Sequence, residues 1–88
     1  MSERPPTRAE ITEALRRFLL EHFPAARKAS LPDDAPLLES GIVDSLGILE
    51  LVNFVTETFG VTVSDEDLQP ENFSSIRQLT AFVERRRG

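Results

Sequence analysis

Apolar residues recur along this chain at helical spacing in three places, and a long proline-punctuated stretch separates the first from the second. Ile11, Leu15, Phe18 and Leu19 fall at i, i+4, i+7 and i+8, one face of a helix. Just ahead of them, Thr7-Arg8-Ala9-Glu10 has the form of a capping box, with Thr7 as N-cap and Glu10 at N3. The pattern predicts a first helix from about Arg8 to Glu21 or His22, and Pro24 stops it from continuing beyond Phe23. Residues 24–44 then read as a loop. Pro24, Pro32 and Pro36 oppose regular structure, yet Leu31, Leu37, Leu38 and Ile42 are too apolar for a free linker. We therefore expect an ordered loop pinned by those side chains. Loops of this length inside a compact domain are uncommon and often functional.

The second helix is expected from about Ser45 to Phe59, ending at Gly60, which suits the C′ position. At about 100° per residue, Ile48, Val52, Val55 and Phe59 form a stripe expected to face the core, with Leu51 beside it. Leu46, Glu50, Asn53 and Glu57 form the opposite, outward stripe, and Leu49 and Phe54 sit on the flanks. Such a helix needs several neighbours and keeps some apolar surface for a partner or cargo. Val61-Thr62-Val63 is too short for a strand and reads as extended loop. Ser64 caps a short helix whose first turn holds Asp65, Glu66 and Asp67, favourable for the helix dipole, and Pro70 limits it to a turn or two. The last helix runs from about Ser75 to Arg86 and buries Ile76, Leu79, Phe82 and Val83. The fold expected is all-α: three principal helices plus one short helix, with a long ordered loop between the first two. Residues 7–86 form the single domain, behind a flexible arm at 1–6. Phe18, Phe59, Phe73 and Phe82 are expected in the core, His22 as an exposed helix-end residue, and Arg85-Arg86-Arg87 as a solvated helix end.

A chain of 88 residues allows one small domain with little room for a buried cleft. No apolar run approaches the roughly 20 residues of a membrane span, and Met1–Pro6 lacks the apolar centre of a signal peptide. Cysteine is absent, so disulfides and thiolate metal sites are excluded. These features together point to the cytoplasm. One His leaves a zinc site or a His-based triad almost nothing to draw on. The net charge is −5, and it is segregated. Residues 31–72 carry ten Asp or Glu and no Lys or Arg. That block argues against nucleic acid, which needs a basic face. It suits a basic protein partner steered by the field of the acidic side.

The acidic block is centred on Gly41-Ile42-Val43-Asp44-Ser45-Leu46-Gly47. A serine at a helix start is by default a cap, with Asp44 or Ser45 satisfying free backbone N–H groups. As a nucleophile Ser45 would need an activating base. The only His lies at the end of helix one, and the stretch lacks the G-x-S-x-G elbow. A serine modified by another enzyme needs only exposure, and a phosphodiester there would sit at the positive end of helix two.

Leu38-Glu39-Ser40-Gly41-Ile42-Val43-Asp44-Ser45-Leu46 resembles the phosphopantetheine attachment region of the acyl carrier protein family, whose core is Asp-Ser-Leu at the start of its second helix. The similarity extends through Glu50-Leu51, Phe59-Gly60-Val61, Val63 to Leu68, Phe73-Ser74-Ser75-Ile76 and Leu79 to Val83, or about residues 11–84. The resemblance implies a carrier without enzymatic activity of its own. Ser45 would receive 4′-phosphopantetheine from coenzyme A through a phosphopantetheinyl transferase. Asp44 would help that transferase bind its magnesium ion. Leu46, Glu50, Asn53 and Glu57 would form the partner-recognition face. Loading ligases or synthases with basic patches would be the further partners, and the thiol of the arm would hold an acyl or aminoacyl group as a thioester. Fatty-acid-synthesis members usually place an acidic residue where this chain has Gly47, and peptidyl carriers usually place His where it has Asp44. A specialised carrier for a secondary pathway or amino-acid loading is therefore expected rather than one for housekeeping fatty acid synthesis, free-standing because the chain starts at Met1 and ends soon after the last helix, and a monomer. The alternative is an acidic helical interaction module without a prosthetic group, in which Asp-Ser-Leu is only a cap.

Overall fold

The computed structural model describes residues 6–28 and 31–87. Residues 1–5 of the expected arm lie outside the described residues. Four α-helices follow one another: α1 Arg8–His22, α2 Pro24–Lys28, α3 Ser45–Phe59 and α4 Ile76–Arg87. Two 3-10 turns, Asp65–Asp67 and Pro70–Phe73, lie between α3 and α4, and the described residues contain no strand. The all-α bundle with three principal helices is therefore the fold.

α1 begins on the expected capping box. The Thr7 hydroxyl accepts from the Glu10 N–H at 3.2 Å, and the Thr7 N–H donates to the Glu10 carboxylate at 2.8 Å. Ile11, Leu15 and Leu19 are buried, while Phe18 is only half-buried. At the other end, Arg27 donates to the carbonyls of Leu20 (2.6 Å) and Glu21 (3.0 Å), two of the carbonyls a helix end leaves free. Pro24 does stop α1, but it also opens α2, where a proline at the first position costs no hydrogen bond. A loop reading from Pro24 onward misses that turn because it treats proline only as a breaker. α1 and α4 run antiparallel: Arg8 pairs with Glu84 at 2.7 Å, and Thr12 shares a hydroxyl–hydroxyl bond of 2.9 Å with Thr80.

The connection from Leu31 to Asp44 is ordered, as its leucines suggest. Leu31, Ala35, Leu37, Ile42 and Val43 are buried and Leu38 is half-buried. Its backbone is tied to the start of α4. The Leu37 N–H donates to the Ser74 carbonyl and the Arg77 N–H to the Asp33 carbonyl, both at 2.8 Å. Arg16 adds a bond to the Leu31 carbonyl (3.2 Å) and an ion pair with Asp33.

α3 corrects the stripe read from the sequence. Its buried line is Gly47, Leu51, Val55 and Phe59, whereas Ile48 and Val52 are half-buried. An apolar count gives glycine no weight, yet at Gly47 the backbone of α3 lies close against the side chains of Phe23 and Val43. The helix is therefore turned toward Gly47 relative to the expected face. Gly60 at φ +70 closes α3 in the left-handed conformation that glycine adopts most readily.

Arg85, Arg86 and Arg87 are exposed, yet they are not merely solvated. Arg87 donates to the Phe59 carbonyl at 2.9 Å, Arg85 to Asn72 at 3.1 Å, and Arg86 pairs with Asp67. The end of α4 thus holds down the end of α3 and both 3-10 turns. The Asp67 carboxyl is held at about 2, first by the Arg86 guanidinium and then by the Ser64 backbone N–H. A carboxyl depressed in the fold stabilises it above the ordinary value of 3.8 and loses that contribution as pH falls toward 2. Thermal melts taken stepwise from pH 5 to 2 are expected to fall more steeply for the wild type than for Arg86→Gln. Parallel curves would refute the pairing.

Candidate functional site

Asp44 and Ser45 stand where the loop enters α3. The shoulders of the loop are fixed: Ile42 and Val43 are buried, Val43 at 1% exposure, after a turn at Gly41 with φ +80. Asp44 is extended (φ −105, ψ −171) and its carboxylate accepts the Gly47 N–H at 2.8 Å. Its carbonyl accepts the Ile48 N–H at 3.0 Å. The cap of α3 is therefore Asp44. Ser45 is the first helical residue and exposed, and its hydroxyl has no hydrogen-bond partner among the described residues. The capping role that the sequence left open between Asp44 and Ser45 therefore falls to Asp44.

Ser45 has no base of its own. His22, the one imidazole, stacks on Phe18 with ring centroids 4.3 Å apart at the end of α1. Nor do the described residues contain a group of three or more His, Asp or Glu placed to hold a metal ion. The site offers an exposed hydroxyl at the positive end of a 15-residue helix, where the first backbone N–H groups lack intrahelical partners. Those features fit a phosphodiester made by another enzyme.

All four outward residues expected on α3, namely Leu46, Glu50, Asn53 and Glu57, are exposed. Leu46 is 71% exposed, and Leu49, expected on a flank, is 56% exposed. Two apolar side chains thus stand open to solvent on the first turns of α3, next to Ser45. The acidic block is partly neutralised by folding, because Asp33 pairs with Arg16 and Asp67 with Arg86. The other eight acids of the block form no ion pair among the described residues, and four of them, Glu39, Asp44, Glu50 and Glu57, lie to either side of Ser45 in the chain.

Two features near the site escaped the sequence reading. The ring of Phe23, at the junction of α1 and α2, lies against Gly47, and a Cβ there would come within 2.6 Å of it and 2.9 Å of Val43. A groove of about 680 Å³ also runs between α1 and α3, with Phe18 and Phe54 stacked in its wall at 4.3 Å and 21°. Phe18, expected in the core, stands half-buried there. The pairing joins residues far apart in sequence, so only their shared aromatic character could have hinted at it.

Comparison with known proteins bears directly on this geometry. A family model described as a phosphopantetheine attachment site matches residues 13–83. A probable acyl carrier protein, PigG, of Serratia sp. (strain ATCC 39006) is 33% identical over 63 residues, 72% of each chain. An acyl carrier protein of Solidesulfovibrio magneticus (strain ATCC 700980 / DSM 13731 / RS-1) is 33% identical over 78 residues, 89% of this chain and 96% of that one. A solved structure described as the crystal structure of an FAD-dependent dehydrogenase contains a chain 31% identical with a TM-score of 0.62, matched over 78% of this chain and 92% of that one.

Proposed function

The chain belongs to the phosphopantetheine attachment-site family of acyl carrier proteins, and from that premise we propose that Ser45 carries the group and presents an acyl or aminoacyl thioester to partner enzymes. The protein is a carrier and not a catalyst, and its prosthetic group is 4′-phosphopantetheine. When bound, that group supplies the thiol that a chain without cysteine lacks. The observation that carries the assignment to Ser45 is its exposed, unpartnered hydroxyl beside a cap supplied by Asp44. In the transfer the Ser45 oxygen displaces the adenosine bisphosphate of coenzyme A and forms the new phosphodiester, and its proton leaves to a base of the transferase. Asp44 keeps one carboxylate oxygen on the Gly47 N–H. Its other oxygen is the one that would meet the magnesium ion of the transferase.

The test is direct. The wild-type protein, incubated with a promiscuous phosphopantetheinyl transferase and coenzyme A, should gain one phosphopantetheine by intact mass, and fragmentation should place it on Ser45. An unchanged mass, or a label on another serine, overturns the assignment.

The protein works in the cytoplasm, and its partners approach over Leu46, Glu50, Asn53 and Glu57 with basic patches of their own. They include the transferase, a loading ligase or synthase and, by analogy with the solved relative, an FAD-dependent dehydrogenase. Reversing Glu50 or Glu57 to Lys is expected to raise the KM of the transferase for this protein about tenfold, or about 1.4 kcal/mol. Stability should change by less than about 0.5 kcal/mol, since both residues are exposed and unpaired. A large drop in melting temperature with KM unchanged would show that these residues serve the fold.

A further inference from the structure

Beside Ser45 a hollow of about 340 Å³ opens between the end of α1 and the start of α3, floored by Phe23 and Gly47 and edged by Asp44 and Leu46. It shares His22 and Glu50 with the larger groove that holds Phe18 and Phe54, so the two lie end to end along α1 and α3, and together they are called the trough below. The arm can reach its middle. From Ser45 to Glu50 is about 7.5 Å along the helix axis. A phosphopantetheine chain, with the bond count of about five extended residues, spans on the order of 17 Å. The remainder lets the arm round the first turn of α3. Its thiol then arrives near Glu50, and whatever it bears lies in the larger groove.

The walls of that groove set the chemistry of the occupant. Phe18, Phe54 and His22 supply stacked rings. Glu21 on α1 and Glu50 and Glu57 on α3 line the same groove, none of them ion-paired among the described residues. Among the described residues, Arg17 is the one guanidinium that lines the groove with them. Three carboxylates against one cation leave the groove negative, and aromatic faces attract cations as well. A volume of about 680 Å³ is the size of a small-molecule site.

We propose that the trough between α1 and α3 receives the tethered cargo, and that the cargo is an α-aminoacyl group whose ammonium lies beside Glu50, in a field to which Glu21 and Glu57 add. This rests on Ser45 carrying the phosphopantetheine arm. The carboxylates hold the ammonium in its protonated form to higher pH, and the rings cover its carbon skeleton. A fatty acyl chain gains nothing from the three acids.

The test uses the transferase with three coenzyme A analogues: bare pantetheine, an amide-linked α-aminoacyl group, and its desamino counterpart. Intact mass first confirms loading on Ser45. Failure to load overturns the carrier reading and this inference with it. With loading achieved, the aminoacyl form is expected to shift the NMR signals of Phe18, Phe54 and Glu50 at least twice as far as the desamino form. The double variant Glu50→Gln, Glu57→Gln should abolish that difference and lower the pKa of the tethered amine. Equal shifts from both cargoes would overturn the aminoacyl assignment. Shifts confined to Leu49, Val52 and Leu68, or to no described residue, would overturn the trough as the site while leaving the carrier role intact.

Discussion

Ser45→Ala is expected to take up no phosphopantetheine at all and to melt within a few degrees of the wild type. The loss is complete because the phosphodiester forms on one oxygen and alanine has none. The stability is kept because the hydroxyl is exposed and bonded to nothing in the described residues. Alanine is also a better helix former than serine. The neighbouring substitution separates attachment from capping. Asp44→Ala removes the acceptor for the Gly47 N–H, which should cost about 1 kcal/mol, or roughly 4–8 °C in a domain of this size. It should slow loading without abolishing it, since Ser45 is still present. Intact mass and thermal melts on both variants decide the matter. A Ser45→Ala protein that still gains the group, or that melts as low as Asp44→Ala, would return Ser45 to the role of a cap and favour the interaction module without a prosthetic group.

Much of this was legible in the sequence because the signals are local. Thr7 with Glu10, Gly60 after Phe59, and Ser64 before three acids fix helix ends within a few residues, and all three ends stand where they were expected. The loop was legible through its leucines, whose burial has no other explanation in so polar a stretch. The roles of glycine and of the terminal arginines were not. Gly47 contributes no apolar side chain, so the stripe on α3 was centred on Ile48 and Val52, and the true line of contact passed unseen. Arg85 to Arg87 look like an ordinary helix end until folding brings Phe59, Asp67 and Asn72 beside them. The candidate site divides the same way. Ser45 and its outward neighbours follow from helical phase on one element. The trough needs α1 and α3 together, and nothing local encodes which aromatic of one meets which of the other.

Gly47→Glu puts that long-range contact to the test, with an expected loss of about 2 kcal/mol of stability. Related carriers often hold an acid at this position, and by local rules it should help. Replacing glycine inside a helix gains up to about 1 kcal/mol, and an acid in the first turn gains a few tenths more from the dipole. Here the contact outweighs both. Any Cβ at 47 meets the Phe23 ring at 2.6 Å and the Val43 methyl at 2.9 Å. Val43 is buried and cannot withdraw. Phe23 can move only by giving up its packing at the junction of α1 and α2. Overpacking of this kind costs about 3 kcal/mol, so the balance is negative and the melting temperature should fall by roughly 8–16 °C. Phe23→Ala removes the nearest obstacle. Adding Gly47→Glu to Phe23→Ala should therefore cost at least about 1 kcal/mol less than adding it to the wild type, a coupling beyond the scatter of independent sites. If the two substitutions are additive, the ring does not rest on Gly47. The floor of the hollow beside Ser45 would then have to be sought in other residues.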